Sequence, residues 1–161
     1  HVAPAASARA RAYLLNENGK AAEDDLQAAL ALTSDKRLRT SILVNIGHNR
    51  ETNLKDDTGA LAAYRQNFVD KERIGGAEEF RSVQQAARIL SRQGKHDEAL
   101  QTLARIDAAK LTGSWSSTTH AIEGDLLSAA GRKSEARGAY QKALAKPGLP
   151  KSWREAIEKK L

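Results

Sequence analysis

The sequence contains no cysteine, which excludes both a disulfide framework and a thiolate metal site. The redox compartment is left open, because cytosolic and periplasmic proteins can both lack cysteine. No run of about 18 uninterrupted apolar residues occurs, so the sequence predicts a soluble segment without a transmembrane helix. The chain opens on HVAPAASA without an initial methionine, and we expect a processed mature form or a piece of a longer protein.

Motifs that bind nucleotides or support catalysis are also missing. Neither the glycine-rich dinucleotide fingerprint nor the P-loop pattern occurs, and no nucleophile motif accompanies the four histidines. His48 has a second candidate ligand at helical spacing, Glu51, but a metal site needs at least a third. The sequence therefore predicts no catalytic residue, no metal site and no cofactor, and we expect a protein that is not an enzyme.

Aromatic residues make up only 4% of the chain, whereas alanine is abundant. Few runs of β-branched residues reach the length of a strand, so the composition favours closely packed helices over a β-sandwich. With 161 residues, the chain is long enough for one domain with a substantial core, or for a segment of a longer repeat array. We expect an all-α protein without a sheet.

A short pattern returns along the chain and is clearest in its last copy. Gly124 lies in the middle of a predicted helix, and Gly131 ends that helix. Ala136, Tyr140 and Ala143 then follow at spacings of four and three, which places them on one face of a second helix. A glycine inside a helix costs up to about 1 kcal/mol relative to alanine, so we expect a neighbouring helix backbone to approach closely at Gly124.

The same register recurs in three earlier copies. Ala87, Gly47 and Ala12 take the small place in the middle of the first helix. The intervals between these residues are close to the roughly 34-residue period of one helix-turn-helix repeat family. One extra residue is predicted before the turn of the second copy, where Lys55 and Asp56 lie.

These residues resemble the tetratricopeptide repeat family, whose unit has a small residue in its first helix, a turn glycine, and then Ala, an aromatic residue and Ala in its second helix. The resemblance implies an all-α, right-handed α-solenoid of helix-turn-helix repeats that forms one domain over residues 1–161. The implied repeats cover residues 5–34, 38–71, 79–109 and 116–147, with a C-terminal capping helix at 150–161. His120 and Val83 depart from the family, which has an aromatic residue near the start of each first helix.

The C-terminal residues predict one more helix. Pro150 can open it, since the fixed φ of proline suits a first turn, and Trp153, Ile157 and Leu161 share one face. Lys159 and Lys160 lie near its C-terminus, where cations interact favourably with the helix dipole. We expect this helix to cap the array.

In the tetratricopeptide repeat family, the first helix of each pair lines a concave groove, and the resemblance implies a peptide-binding surface there. The candidate groove residues are Arg9, Tyr13, Asn45, His48, Arg81, Gln84, Gln85, Arg88 and Arg92. Five of them belong to the third first helix, at helical spacings that can align several donors. Such a strip suits a carboxylate or an acidic peptide, and we expect a non-catalytic protein-interaction or assembly module.

Other interpretations stay open. The same residues fit the solvated face of amphipathic helices, and a carboxylate clamp of the family's kind is incomplete, because Tyr13 and Gln85 replace an Asn and a basic residue. The chain can also be a structural spacer or dimerisation scaffold of a larger exported or envelope protein. Nucleic-acid binding would use the net charge of +6, but only seven aromatic residues exist to stack bases.

Overall fold

The structure, a computed structural model, describes residues 5, 6, 8–11 and 18–161. These residues form α-helices joined by short turns, with one 3-10 turn and no strand among them, so the all-α prediction is confirmed. None of the described helices is both long enough and apolar enough to cross a membrane. The chain divides into two compact units, one ending at Ser82 and the other spanning Val83–Leu161.

Asparagine and aspartate side chains start the helices of the first unit. Helical residues 5, 6 and 8–11 precede α1 (Gly19–Leu32), α2 (Lys36–Thr52) and α3 (Asp57–Arg65). Asn18, Asp35 and Asp56 accept hydrogen bonds from backbone amides in the first turns of α1, α2 and α3, respectively. These caps satisfy amide groups that have no partner within the helix, and they determine where each helix begins.

The next helix, α4 (Ala77–Arg92), begins in the first unit and continues into the second. The second unit further contains α5 (His96–Leu103), a 3-10 turn (Ala108–Lys110), α6 (Gly113–Ala129), α7 (Lys133–Ala145) and α8 (Lys151–Glu158). Helices α2, α4 and α6 each begin two or three residues before the predicted positions 38, 79 and 116. The grouping of these helices into four repeats and a cap stays a prediction.

A glycine against a tyrosine ring sets the contact within two of the helix pairs. A Cβ atom added to Gly124 of α6 would lie 2.5 Å from two ring atoms of Tyr140 on α7, and one added to Gly47 of α2 would lie 2.5 Å from the Tyr64 ring on α3. Cβ atoms essentially never lie this close to another atom, so a side chain at either position would force the tyrosine ring to move. The predicted close approach is confirmed, but the approaching atoms belong to an aromatic ring and not to a helix backbone.

The α4–α5 pair carries a different combination at the same two places of the register. Ala87 stands where the other pairs have glycine, and Leu103 stands where they have tyrosine. Both side chains are buried. In this register, a methyl group on the first helix therefore accompanies a smaller side chain on the second.

In the described part of the chain, three turns between paired helices contain a residue with positive φ. Gly94 and Gly131 have φ of 77°, and Lys55 has φ of 55° at the corresponding place. The amide of Asp56 donates to the carbonyl oxygen of Arg50, six residues earlier, whereas the corresponding bonds of the other two turns reach five residues back. This difference is the extra residue predicted before the turn of the second copy.

Two arginines of the first unit serve the fold. Arg50 on α2 forms an ion pair of 2.6 Å with Glu23 on α1 and donates to the carbonyl oxygen of Gly59 on α3, so it joins three helices. Arg39 donates at 2.9 Å to the carbonyl oxygen of Leu30, near the C-terminus of α1. A positive charge at this end of a helix interacts favourably with the helix dipole. The guanidinium groups of Arg50 and Arg39 therefore have hydrogen-bond partners within the first unit.

Each unit has its own buried apolar cluster. The cluster in the first unit comprises Ala6, Ala10, Leu26, Ala29, Ile42, Leu43, Ile46 and Ala63. The cluster in the second unit comprises Ala121, Leu127, Ala136, Ala139, Tyr140, Ala143, Leu149 and Ile157. Ile157 belongs to α8 and Leu149 precedes it, so the last helix packs onto the core of the second unit.

We expect Gly124→Ala to lower the free energy of unfolding by about 1–3 kcal/mol, because the added methyl group overlaps the Tyr140 ring and overpacking outweighs the gain in helix propensity. Gly138→Ala on α7 is the matched control. No atom lies within 4 Å of a Cβ placed there, so this change should raise stability by up to about 1 kcal/mol. Urea unfolding followed by circular dichroism measures both, and equal effects of the two changes would contradict this assignment.

Candidate functional site

The side chain of Gln84 on α4 faces the protein interior. It is only 8% exposed, and its amide nitrogen lies 3.1 Å from the hydroxyl oxygen of Thr119 on α6. Thr119 in turn donates to the carbonyl oxygen of Trp115 within α6. Gln84 thus links the two first helices of the second unit, and little of its surface is accessible to a partner.

Arg88 follows Gln84 by one turn of α4 and is half-buried. Its guanidinium carbon lies 5.2 Å from the centre of the Trp153 ring on α8, a distance at which a cation is attracted to the face of an indole. Arg88 belongs to no ion pair among the residues that the structure describes. It is therefore a positive charge held in place by an aromatic ring and not neutralised by a carboxylate.

A small open cavity of about 230 Å³ lies beside Arg88, and we name it the Arg88 pocket. Its lining comes from α4, from α6 and from α8 with the turn that follows it. The lining residues are Arg88, Ala121, Asp125, Ser152, Trp153, Ala156, Ile157 and Lys160. The pocket combines an apolar wall with two cations and one carboxylate, so it can accept an apolar side chain next to a charged one.

Asp125 supplies the carboxylate that lines the Arg88 pocket. The hydroxyl group of Tyr140 donates to Oδ1 of Asp125 at 2.7 Å, and Nζ of Lys160 lies 2.7 Å from the same oxygen. Burial raises the pKa of the Tyr140 phenol, and the hydrogen bond to Asp125 raises this pKa further. The phenol therefore stays protonated at neutral pH and remains a donor, which fixes the position of the carboxylate.

Three more residues of α4 that were predicted to line the groove differ in their exposure to solvent. Gln85 is half-buried. Arg92 is exposed and already interacts with another group of the protein. Arg81, which belongs to the first unit, is exposed and lies 3.6 Å from the carboxylate of Glu78. Of the three arginines predicted on this helix, Arg88 therefore has no ion-pair partner among the described residues, and the uncharged Gln85 is half-buried.

The predicted residues of the first unit are distributed over two helical segments. Arg9 is exposed and forms a 3.1 Å ion pair with Asp25 of α1. On α2, Asn45 is half-buried and His48 is exposed, three positions further along the helix. Tyr13 and the small residue Ala12 lie outside the described residues. The structure therefore brings Asn45 and His48 to one helix but joins neither of them to Arg9 by a hydrogen bond.

Trp153 and Lys160 are site residues that the sequence assigned only to a cap. Their contacts, with Arg88 and with Asp125, join residues far apart in the sequence, so no local pattern reveals them. Leu161, predicted on the apolar face of the same helix, is 39% exposed and contributes little to packing. The available signal was the spacing of Trp153, Ile157 and Lys160 at i, i+4 and i+7.

A larger cavity, of about 600 Å³, lies between α5, α6 and α7. Its polar groups are paired with one another: Nδ1 of His120 lies 3.1 Å from Glu123, and Arg132 forms a 2.6 Å ion pair with Glu135. In the part of the chain that the structure describes, no three His, Asp or Glu side chains come together as metal ligands. This cavity therefore offers no unoccupied charge to a ligand.

The chain matches the model of a known protein family. A family model described as a tetratricopeptide repeat-like domain matches residues 51–161. The matched range includes the whole second unit, with the Arg88 pocket and α8, and the α3 helix of the first unit. No curated protein matches the chain.

Tyr140→Phe should lower the free energy of unfolding by about 1 kcal/mol, because it keeps the ring against Gly124 and removes only the hydrogen bond to the half-exposed Asp125. Chemical denaturation of the wild-type chain and the variant measures this loss. In a chain that already carries Asp125→Ala, the same substitution should change stability very little. An equal loss in both backgrounds would show that the bond to Asp125 is not the cause.

Proposed function

Since this chain belongs to the tetratricopeptide repeat-like domain family, we propose that it is a non-catalytic module that binds a segment of a partner protein along its first helices. Domains of this family typically bind protein partners. Within the second unit, the proposed contact surface consists of the exposed parts of α4 and α6 around the Arg88 pocket. The preferred partner segment is acidic.

Arg88 is the observation that supports this proposal most strongly. Its charge has no carboxylate partner among the described residues, and the Trp153 ring restricts its position. A guanidinium group that is already oriented loses less conformational freedom when it binds, and it can form two parallel hydrogen bonds to one carboxylate. An Asp or Glu side chain of a partner would therefore form a charge-assisted pair with Arg88.

Two further features favour an acidic segment over a neutral one. The net charge of +6 attracts acidic chains over long distances and increases the rate of encounter. Gln85, three positions before Arg88 on the same helix, offers an amide that can both donate to and accept from a peptide backbone. The apolar wall of the Arg88 pocket would then accept a side chain next to the acidic residue.

The first unit contributes to the proposal through Asn45 and His48. Both lie on α2, which is a first helix in the predicted repeat. Asn45 is uncharged, and His48 forms no ion pair in the described part of the chain. Arg9 and Arg81 are engaged with Asp25 and with Glu78, so they would have to exchange a partner within the protein for one outside it. A continuous groove along an α-solenoid stays a prediction.

We expect peptides selected on this protein from a random display library at low salt to be enriched in Asp and Glu. Their affinity should fall as salt is raised, because part of the attraction is electrostatic. Arg88→Glu should weaken the selected peptides by about tenfold or more, since it replaces attraction by repulsion at the proposed contact. Isothermal titration calorimetry measures the affinity of each peptide.

Lys142→Glu is the matched control, because it makes the same charge change at an exposed position of α7 that does not line the Arg88 pocket. This variant should bind the selected peptides almost as well as the wild-type chain. Selected peptides that lack acidic residues, or that lose equal affinity with both variants, would overturn the proposed contact. Circular dichroism of each variant verifies that the helices are intact.

A further inference from the structure

The last helix is stabilised by its contacts with the rest of the second unit. α8 contains only eight residues, Lys151–Glu158, and an isolated helix of this length is not stable in water. The segment that connects it to α7, residues 146–150, contains Pro147 and Pro150, and both restrict the backbone. Contacts with the second unit therefore hold α8 in its helical form, and the surface beneath it is a binding site for a helix.

Three side chains anchor α8 and the turn that follows it to that surface. Trp153 lies beneath the guanidinium group of Arg88, Ile157 is 3% exposed in the apolar cluster, and Lys160 pairs with Asp125 at 2.7 Å. Their spacing of i, i+4 and i+7 is the one by which an amphipathic helix occupies a groove. The surface thus recognises an aromatic ring, an aliphatic side chain and a cation, in this order along the chain.

We propose that the surface covered by α8 also binds the α8 helix of a second copy of this chain. We name it the α8-docking surface and define it by Arg88, Ala121, Asp125 and Tyr140. When two copies exchange their last helices, each contact that exists within one chain is formed again between the chains. The exchange is reciprocal, so it closes into a two-fold dimer and leaves no surface open for further growth.

The sequence argues for a second copy as the occupant. Trp153 is the only aromatic residue in the chain that is followed by an aliphatic residue four positions later and by Lys or Arg seven positions later. The α8 helix of another copy, together with the turn that follows it, carries the same three side chains in the same order. It therefore fits Arg88 and Asp125 without any change in the surface.

Docking within one chain competes with docking between chains. A short linker gives the tethered helix an effective concentration of about 1 mM, so the wild-type chain is mainly monomeric at micromolar concentrations. Dimers appear when the protein concentration approaches that value, or when docking within the chain is weakened. The ion pair between Lys160 and Asp125 offers a way to weaken it selectively, because both side chains are nearly half-exposed.

The experiment mixes two full-length variants, Asp125→Lys and Lys160→Asp. In either variant alone, like charges face each other wherever α8 docks. In an exchanged heterodimer, the unchanged Lys160 of the first variant meets the unchanged Asp125 of the second, and the two substituted positions also carry opposite charges. Both docking sites are therefore complementary only when the two variants exchange helices.

We expect the equimolar mixture to form a 1:1 dimer at concentrations where each variant alone is monomeric, with an affinity at least about tenfold higher than self-association of either variant. Sedimentation velocity gives the mass, and energy transfer between differently labelled chains shows that the pair is mixed. The chain that carries both substitutions is the control, since it restores opposite charges within one molecule and should stay monomeric. A mixture that behaves as the sum of its two monomers would overturn the proposal.

A second measurement keeps the proposal testable if Asp125→Lys disturbs the fold. A fluorescent peptide of residues 150–161 is titrated with the full-length Lys160→Asp chain, which retains the complete α8-docking surface. Binding of the native peptide and loss of binding with a Trp153→Ala peptide support docking between molecules. Absence of binding by the native peptide to the folded chain would contradict it, whatever the result for acidic peptides at Arg88.

Discussion

The contact between a glycine backbone and a tyrosine ring is the constraint on which two helix pairs of this protein, α2–α3 and α6–α7, depend. At Gly47 and Gly124, the absence of a side chain lets the ring of Tyr64 or Tyr140 lie directly against the first helix of the pair. The hydroxyl groups of the same tyrosines then reach carboxylates on that helix, Glu51 at 3.3 Å and Asp125 at 2.7 Å. One residue thus fixes both the distance between two helices and the position of an acidic side chain.

The geometry of the proposed contact surface in the second unit follows from that packing. Because Tyr140 holds Asp125 in place, Lys160 has a fixed partner, and the end of α8 stays close to α6. Trp153 then lies beneath Arg88 and orients its charge toward the Arg88 pocket. The last helix therefore contributes Trp153 to the surface proposed to bind partners, and it is also the segment proposed to exchange between two copies.

Local patterns predicted the helices and their contact points, whereas partners distant in sequence remained hidden. Gly124 is recognisable because a glycine within a helix needs a reason, and its spacing to Tyr140 identifies the face that meets it. Gln84 is different. Its polar character suggested a groove residue, but its acceptor, Thr119, lies on another helix and removes it from the accessible surface. The contact of Arg88 with Trp153 was missed for the same reason, because helical periodicity carries no information about side chains on separate helices.

A double-mutant cycle on Gly124→Ala and Tyr140→Leu measures the central contact most directly. If the methyl group and the ring compete for the same space, the loss of unfolding free energy caused by Gly124→Ala should be smaller by about 1 kcal/mol or more when leucine replaces Tyr140. The double variant then has the same two residue types as Ala87 and Leu103. Denaturant unfolding of the four chains yields this coupling energy. Strictly additive losses would contradict the account, because they would show that glycine and tyrosine stabilise the pair independently.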